Sequence, residues 1–330
     1  MDNKEIYKRT LPFSLRRALW DLVSLLALGG LSVAGFLIGG RVAPKSDSAP
    51  LVGLLIGLAV AIAVTVIITR YNSFANKAAQ IAMMTRGVTE NSLPDDVVGE
   101  GKRIVKERFT TVAGYYLVTR IINSIFSELG RGITKLGEAI GGDTGGTVGS
   151  AVSSVMQTIV RYLCDCCLGW VFFRSETTAP RATLEGAAIF FKHGKTFAKN
   201  MGRVFGIGLL TLVVIGGAFT GIIYLILHAL ASPVFISAVS EFFQKAADAE
   251  KPNAIINFFA NPNNVTIGIA ILGGVALWGI IHSVFIRPFV LVGVLRNFIA
   301  SGANDVPGEA AFAKLDSISP KFRKAHAEAV

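Results

Sequence analysis

Long uncharged apolar runs alternate along this chain with polar stretches of uneven length. Leu51 to Thr69 is nineteen residues without a charge, and Ala18 to Gly40 carries only Asp21. Val204 to Leu230 has no charge, and Val265 to Ile286 ends against Arg287 and Pro288. A helix rising 1.5 Å per residue needs about 20 mostly apolar residues to cross roughly 30 Å of hydrocarbon, so these four runs are of spanning length. Two further runs, Phe109 to Phe126 and Val155 to Phe173, include ionisable residues: Arg120 in the first, Arg161 and Asp165 in the second. The pattern predicts an all-α, polytopic integral membrane helix bundle of about six transmembrane helices, at 18–40, 51–69, 109–126, 155–173, 204–230 and 265–286. Together they make a single membrane domain over residues 1–330.

The polar stretches carry helical signals of their own. Between Arg70 and Arg108 two helix-like pieces, around Asn72–Thr85 and Val97–Arg108, flank a Leu-Pro-Asp-Asp run that reads as a helix start. From Ala182 to Arg203, Lys192, Lys195, Lys199 and Arg203 form a basic stripe beside Leu184, Ala188, Phe191 and Ala198. That pattern fits an amphipathic helix lying on the inner leaflet, or a plain extension of the fifth span. Phe235, Val239, Phe242, Phe243 and Ala246 recur at helical spacing in the loop 232–264. The glycine-rich stretch Gly130–Gly149 reads as a turned tip, without the lysine of a phosphate-cradling loop.

Composition sharpens the membrane reading. Residues of the AVILMFWYC set make up 52% and charged residues 16%, against roughly 25% charged in a soluble domain. Disorder and a disulfide-stapled module are excluded. The formal charge of +10 is one-sided: with the N-terminus inside, the inner stretches hold 23 Lys and Arg and the outer loops 6. Six spans return the C-terminus to the same side, giving an N-in/C-in topology with 70–108 as a cytoplasmic helical loop and 300–330 as a cytoplasmic tail. The basic excess therefore meets the lipid bilayer and its anionic headgroups, and no nucleic acid is implied. The first apolar run exceeds a signal h-region and reads as a retained span. Short loops suit a bacterial plasma membrane.

Chemistry is sparse. Cys164, Cys166 and Cys167 point around a helix and read as packing side chains, with metal binding, redox chemistry and palmitoylation as alternatives. No HExxH, GxSxG or paired-carboxylate arrangement occurs, so the expectation is no enzyme, no catalytic residue, no metal and no cofactor. Ionisable residues in a bilayer are costly and face the bundle interior. Helix arithmetic places Arg120 at a depth between Arg161 and Asp165, so these three form the candidate intramembrane charge cluster. Asp21 and Arg287 lie near the inner boundary, to snorkel or pair. Glycine pairs one turn apart, Gly35 with Gly39, Gly53 with Gly57 and Gly217 with Gly221, permit close helix contact.

The runs YLCDCCLGWVFF and ATLEGAAIFFKHGKTFAKNMGRVFGIGLL, with the final VFIRPFVLVGVLRNF, give residues 155–300 a likeness to a known family. This half resembles the ending of the choline transporter-like family, whose chains are about twice as long and carry a large outer loop missing here. The resemblance implies transport of an organic amine or similar polar solute and carries over no binding residue. Two functions follow from the sequence: a transporter or permeation pathway for a small polar or organic-amine solute, or a non-transporting scaffold or assembly component, self-associating or joined to a membrane complex.

Overall fold

The computed structural model describes residues 1–43, 49–68, 74–109, 121–122, 124–125, 161–230, 233–249 and 254–329, and the secondary structure among them is all α. In chain order the helices are α1 (Asn3–Val42), α2 (Ala49–Ile68), α3 (Phe74–Thr89), α4 (Val97–Arg108) and α5 (161–173). Then come α6 (Ala179–Thr211), α7 (Gly217–Leu230), α8 (Pro233–Ala249), α9 (Ala254–Ala260), α10 (Pro262–Ile281), α11 (Arg287–Ala303), α12 (Glu309–Ile318) and α13 (Pro320–Ala329). Short π-helical turns, Leu212–Gly216 and His282–Ile286, join α6 to α7 and α10 to α11 without a break.

Among the described residues four helices are long and apolar enough to cross a membrane: Asn3–Val42, Ala49–Ile67, Gly206–Leu230 and Pro262–Ala303. They overlap the first, second, fifth and sixth expected spans. Of the third, 109–126, only Phe109, 121–122 and 124–125 lie inside the described residues, and of the fourth only 161–173. The glycine-rich stretch 130–149 lies outside them.

The chain forms two compact units from interleaved segments. The first takes Met1–Leu15, Ala75–Gly206 and Phe285–Val330; the second takes Arg16–Phe74 and Ile207–Val284.

In the second unit, α1 and α2 approach backbone to backbone. A Cβ added to Gly35 would collide with the Gly53 carbonyl, and one on Gly53 with the Gly35 carbonyl. Gly39 and Gly57 abut the carbonyls of Ala49 and Leu31 in the same way. Only glycine permits this approach, which draws van der Waals contact from two apolar helices that gain nothing by hiding from lipid. Gly274 of α10 abuts Thr220 of α7 similarly, whereas Gly217 and Gly221 have open space where a side chain would go. The helices α8 and α9 fold back on this unit through aromatic edges and faces. Phe36 meets Phe235 at 5.5 Å, and Phe243 stacks on Phe259 at 5.1 Å. Large apolar side chains stay uncovered along the spans, among them Leu26, Ile56, Val213 and Leu225.

The first unit has an ordinary protein core. Phe13, Ala79, Met83, Leu93 and Val97 cluster where α1, α3 and α4 meet, and Gly101 lets the Phe13 ring close onto α4. The helix α4 begins at Asp96, whose carboxylate accepts the amide of Gly99 at 2.8 Å. Residues 162–172 of α5 are buried at every position. Three glycines allow that: Gly169 admits Leu295, Gly186 admits the Cys167 sulfur, and Gly302 admits Trp170. The stretch 182–190 of α6 is likewise fully buried. Leu184 and Ala188, which an inner-leaflet helix would turn to lipid, are instead inside this unit, and 182–203 is part of one continuous helix, Ala179–Thr211. The tail helices close on each other through Phe312, Phe322 and His326, with Arg181 of α6 over the Phe312 ring at 4.5 Å.

Candidate functional site

The first unit holds the charges that the sequence singled out. Asp165 sits on α5 with its side chain 5% exposed. One carboxylate oxygen meets Lys77 Nζ of α3 at 2.5 Å, and the other meets an Arg287 guanidinium nitrogen of α11 at 2.5 Å. That Arg287 nitrogen also donates to the Arg161 carbonyl at 2.9 Å. The Arg287 guanidinium lies 5.5 Å from the Tyr162 ring centroid. Two cations therefore share one buried carboxylate, while the Arg287 Nε and the Tyr162 hydroxyl are buried without a hydrogen-bond partner.

The sequence placed Asp165 beside Arg120 and Arg161. In the structure its described partners are Lys77 and Arg287. Arg161 is exposed and contributes its carbonyl, and Arg120 lies outside the described residues. Lys77 had no signal of its own, being one cation in an ordinary polar loop. Its place follows from the small residues around it: Ala78, Ala79 and Ala82 let α3 pack closely, and all three are buried.

A second polar cluster runs along α3 and α4. Arg86 is held between Glu90 and Glu100 at 2.8 Å each, and Arg103 between Glu100 at 2.7 Å and Glu107 at 2.5 Å. Hydrogen bonds from Arg103, with the charges of Arg103 and Arg86, hold the Glu100 carboxyl below its usual range. This ladder lines a cavity of about 700 Å³ with Ile104, Phe172 and Phe173. Its cations are already matched, so it offers no surplus charge to a ligand. Arg108 at the end of α4 ties down the turn before α6, donating to the carbonyls of Thr177 at 2.6 Å and Arg174 at 2.9 Å. Beside that turn, buried Glu185 accepts from Trp170 Nε1 and Arg174 Nε, both at 3.0 Å.

Cys164, Cys166 and Cys167 are free thiols within α5, and the Cys167 sulfur faces the Thr183 carbonyl at 3.5 Å. Burial pushes all three thiols up, away from the reactive thiolate. No group of three His, Cys, Asp or Glu among the described residues is placed to hold a metal ion. In the second unit His282 heads a π turn 5.1 Å from the Trp278 ring, and Trp278 Nε1 donates to Thr211 at 3.3 Å. His228 stacks on Tyr224.

Comparison with protein-family models, curated proteins and solved structures returns no match for this chain. The four helices, long and apolar enough to cross a membrane, point to a membrane protein.

Proposed function

We propose that the protein is a non-transporting membrane component: four spans anchor a helical unit that is the working part. The observation that carries this reading is where charge lies. Apart from Asp21 near the start of the first, the stretches 18–40, 49–68, 204–240 and 252–286 contain no Asp, Glu, Lys or Arg. The acidic residue on which a polar path would depend, Asp165, belongs to the other unit and is saturated by Lys77 and Arg287. Ionisable groups that mark a solute pathway lie in the spans themselves, facing a cavity.

Four spans also simplify the topology. The segments before the first span, between the second and third, and after the fourth then share one side, and 28 of the 32 Lys and Arg fall in them or at their edges. The six-span arrangement is the rival. A cysteine introduced at Asp143 labels only after permeabilisation if there are four spans, and from outside if there are six.

Flux decides between scaffold and transporter. The likeness of 155–300 to the choline transporter-like family makes choline the solute to test. Proteoliposomes of the full chain are expected to show no choline uptake above empty vesicles, with or without a membrane potential. Saturable uptake would overturn the scaffold reading.

A further inference from the structure

Arg287 closes a long uncharged approach in the chain. From Pro252 to Ile286 there is no Asp, Glu, Lys or Arg, and Val265 to Ile286 covers the roughly 30 Å of a hydrocarbon layer at 1.5 Å per residue. Arg287 is thus the first charge at the depth of the phospholipid headgroups, and whatever it touches shares that depth. It touches the described part of α5 through the Arg161 carbonyl, the Tyr162 ring and Asp165.

The electrostatics of this corner favour an anion. Asp165 has Lys77 on one oxygen, so Arg287 has only a shared claim on its charge. Arg161 is exposed, and no carboxylate among the described residues pairs with its guanidinium. Arg287 Nε is a donor without an acceptor, and so is the Tyr162 hydroxyl, on a residue 1% exposed. Most buried donors in native proteins are satisfied, and an orphan calls for an explanation such as an absent partner. An oxyanion supplies acceptor oxygens and compensating charge at once, and the fork of a guanidinium matches it.

We propose that Arg161 and Arg287, with the neighbouring residue Tyr162 as a further donor, bind the phosphate of an anionic phospholipid headgroup. Asp165 and Lys77 act as positioning residues that hold Arg287 in place. A basic corner between helices at the headgroup level is how membrane proteins recognise anionic lipids beyond general surface attraction. The site would dock the first unit onto the leaflet at one defined point. The proposal depends on the four-span topology only for the headgroup depth of Arg287, and labelling at Asp143 tests that topology separately.

Arg161 is the residue to change, because its guanidinium pairs with no carboxylate among the described residues. The full chain in detergent is loaded with phosphatidylglycerol or phosphatidylcholine and examined by native mass spectrometry. Wild type is expected to retain phosphatidylglycerol over phosphatidylcholine. Arg161→Gln should retain it roughly fivefold less, the equivalent of one lost headgroup–cation contact. Arg161→Lys should keep most of the retention, and Arg323→Gln, which removes an exposed cation of α13, should change nothing. Equal retention by Arg161→Gln and wild type overturns the site, as does an equal loss in Arg323→Gln. Competition by inorganic phosphate at the same concentration as lipid would keep the oxyanion chemistry but overturn the lipid as its source.

Discussion

The two units solve the same packing problem under different rules. In the second, α1 and α2 meet through Gly35, Gly39, Gly53 and Gly57, and large side chains such as Leu26 and Ile56 are left facing outward. In the first, large side chains such as Phe13, Trp170 and Phe298 are fully buried, and some of the polar groups buried with them are paired. Gln80 donates to Ser14 at 2.9 Å, and Glu185 accepts from Trp170. Water makes burying apolar area worthwhile; lipid does not, so lipid-facing helices gain by contact area between backbones. Exposed apolar surface is therefore a property of the intended solvent, and it separates the units more sharply than amino-acid composition does.

The sharpest break in this contrast is Asp165→Asn. It leaves Lys77 and Arg287 beside each other without their carboxylate, and uncompensated buried charge costs about 3–5 kcal/mol. The purified protein is expected to melt well below wild type in detergent, and Lys77→Met added to Asp165→Asn should recover part of the loss. Melting like wild type would mean that water already reaches the cluster. Next comes Gly53→Val, which forces the α1–α2 crossing apart. Overpacking of this kind costs about 1–3 kcal/mol, read as a lower melting temperature. If instead the variant is unchanged, the hairpin is not held by this approach.

The four long apolar runs were legible, the first with Asp21 as its one charge and the others with none, because runs of that length suit a membrane span. The helix start at Asp96 was legible too, since capping is local chemistry. The segment 155–173 shows the limit. A helix apolar on every side is either a span or a core helix, and periodicity alone does not separate them. At 161–173 the helix is surrounded by α3, α6 and α11, whose glycines and small residues at distant positions make room for it. Likewise Asp165 announced that it needed a cation, but its choice of Lys77 and Arg287 depends on packing between helices 88 and 122 residues away in sequence.

Smaller effects refine the comparison. Gln80→Leu removes a buried donor and strands the Ser14 hydroxyl, so a loss of about 1–3 kcal/mol in thermal melting is expected. Asp96→Ala removes the α4 cap at a cost of about 1 kcal/mol, seen as faster amide exchange at Gly99 before any change in global melting. The pH dependence of the Arg86–Glu100–Arg103 ladder should be slightest. Its Glu100 carboxyl titrates below the ordinary range, so its contribution is complete above that range and is lost as pH falls through the lowered value. Solvent screening keeps this small. A steep acid transition abolished by Glu100→Gln would show that the ladder matters more than an exposed network should.

The π turns at Leu212–Gly216 and His282–Ile286 give the two long helices a change of phase. A single wide turn accommodates one extra residue, and one residue corresponds to about 100° of rotation around a helix. A stripe of side chains that faces one way before the turn therefore resumes on another bearing after it, while the backbone stays continuous. Each rod can thus answer two surroundings with two differently aimed faces and no loop between them. Removing one residue from either turn would restore the regular helical register and bring the two faces into a single line.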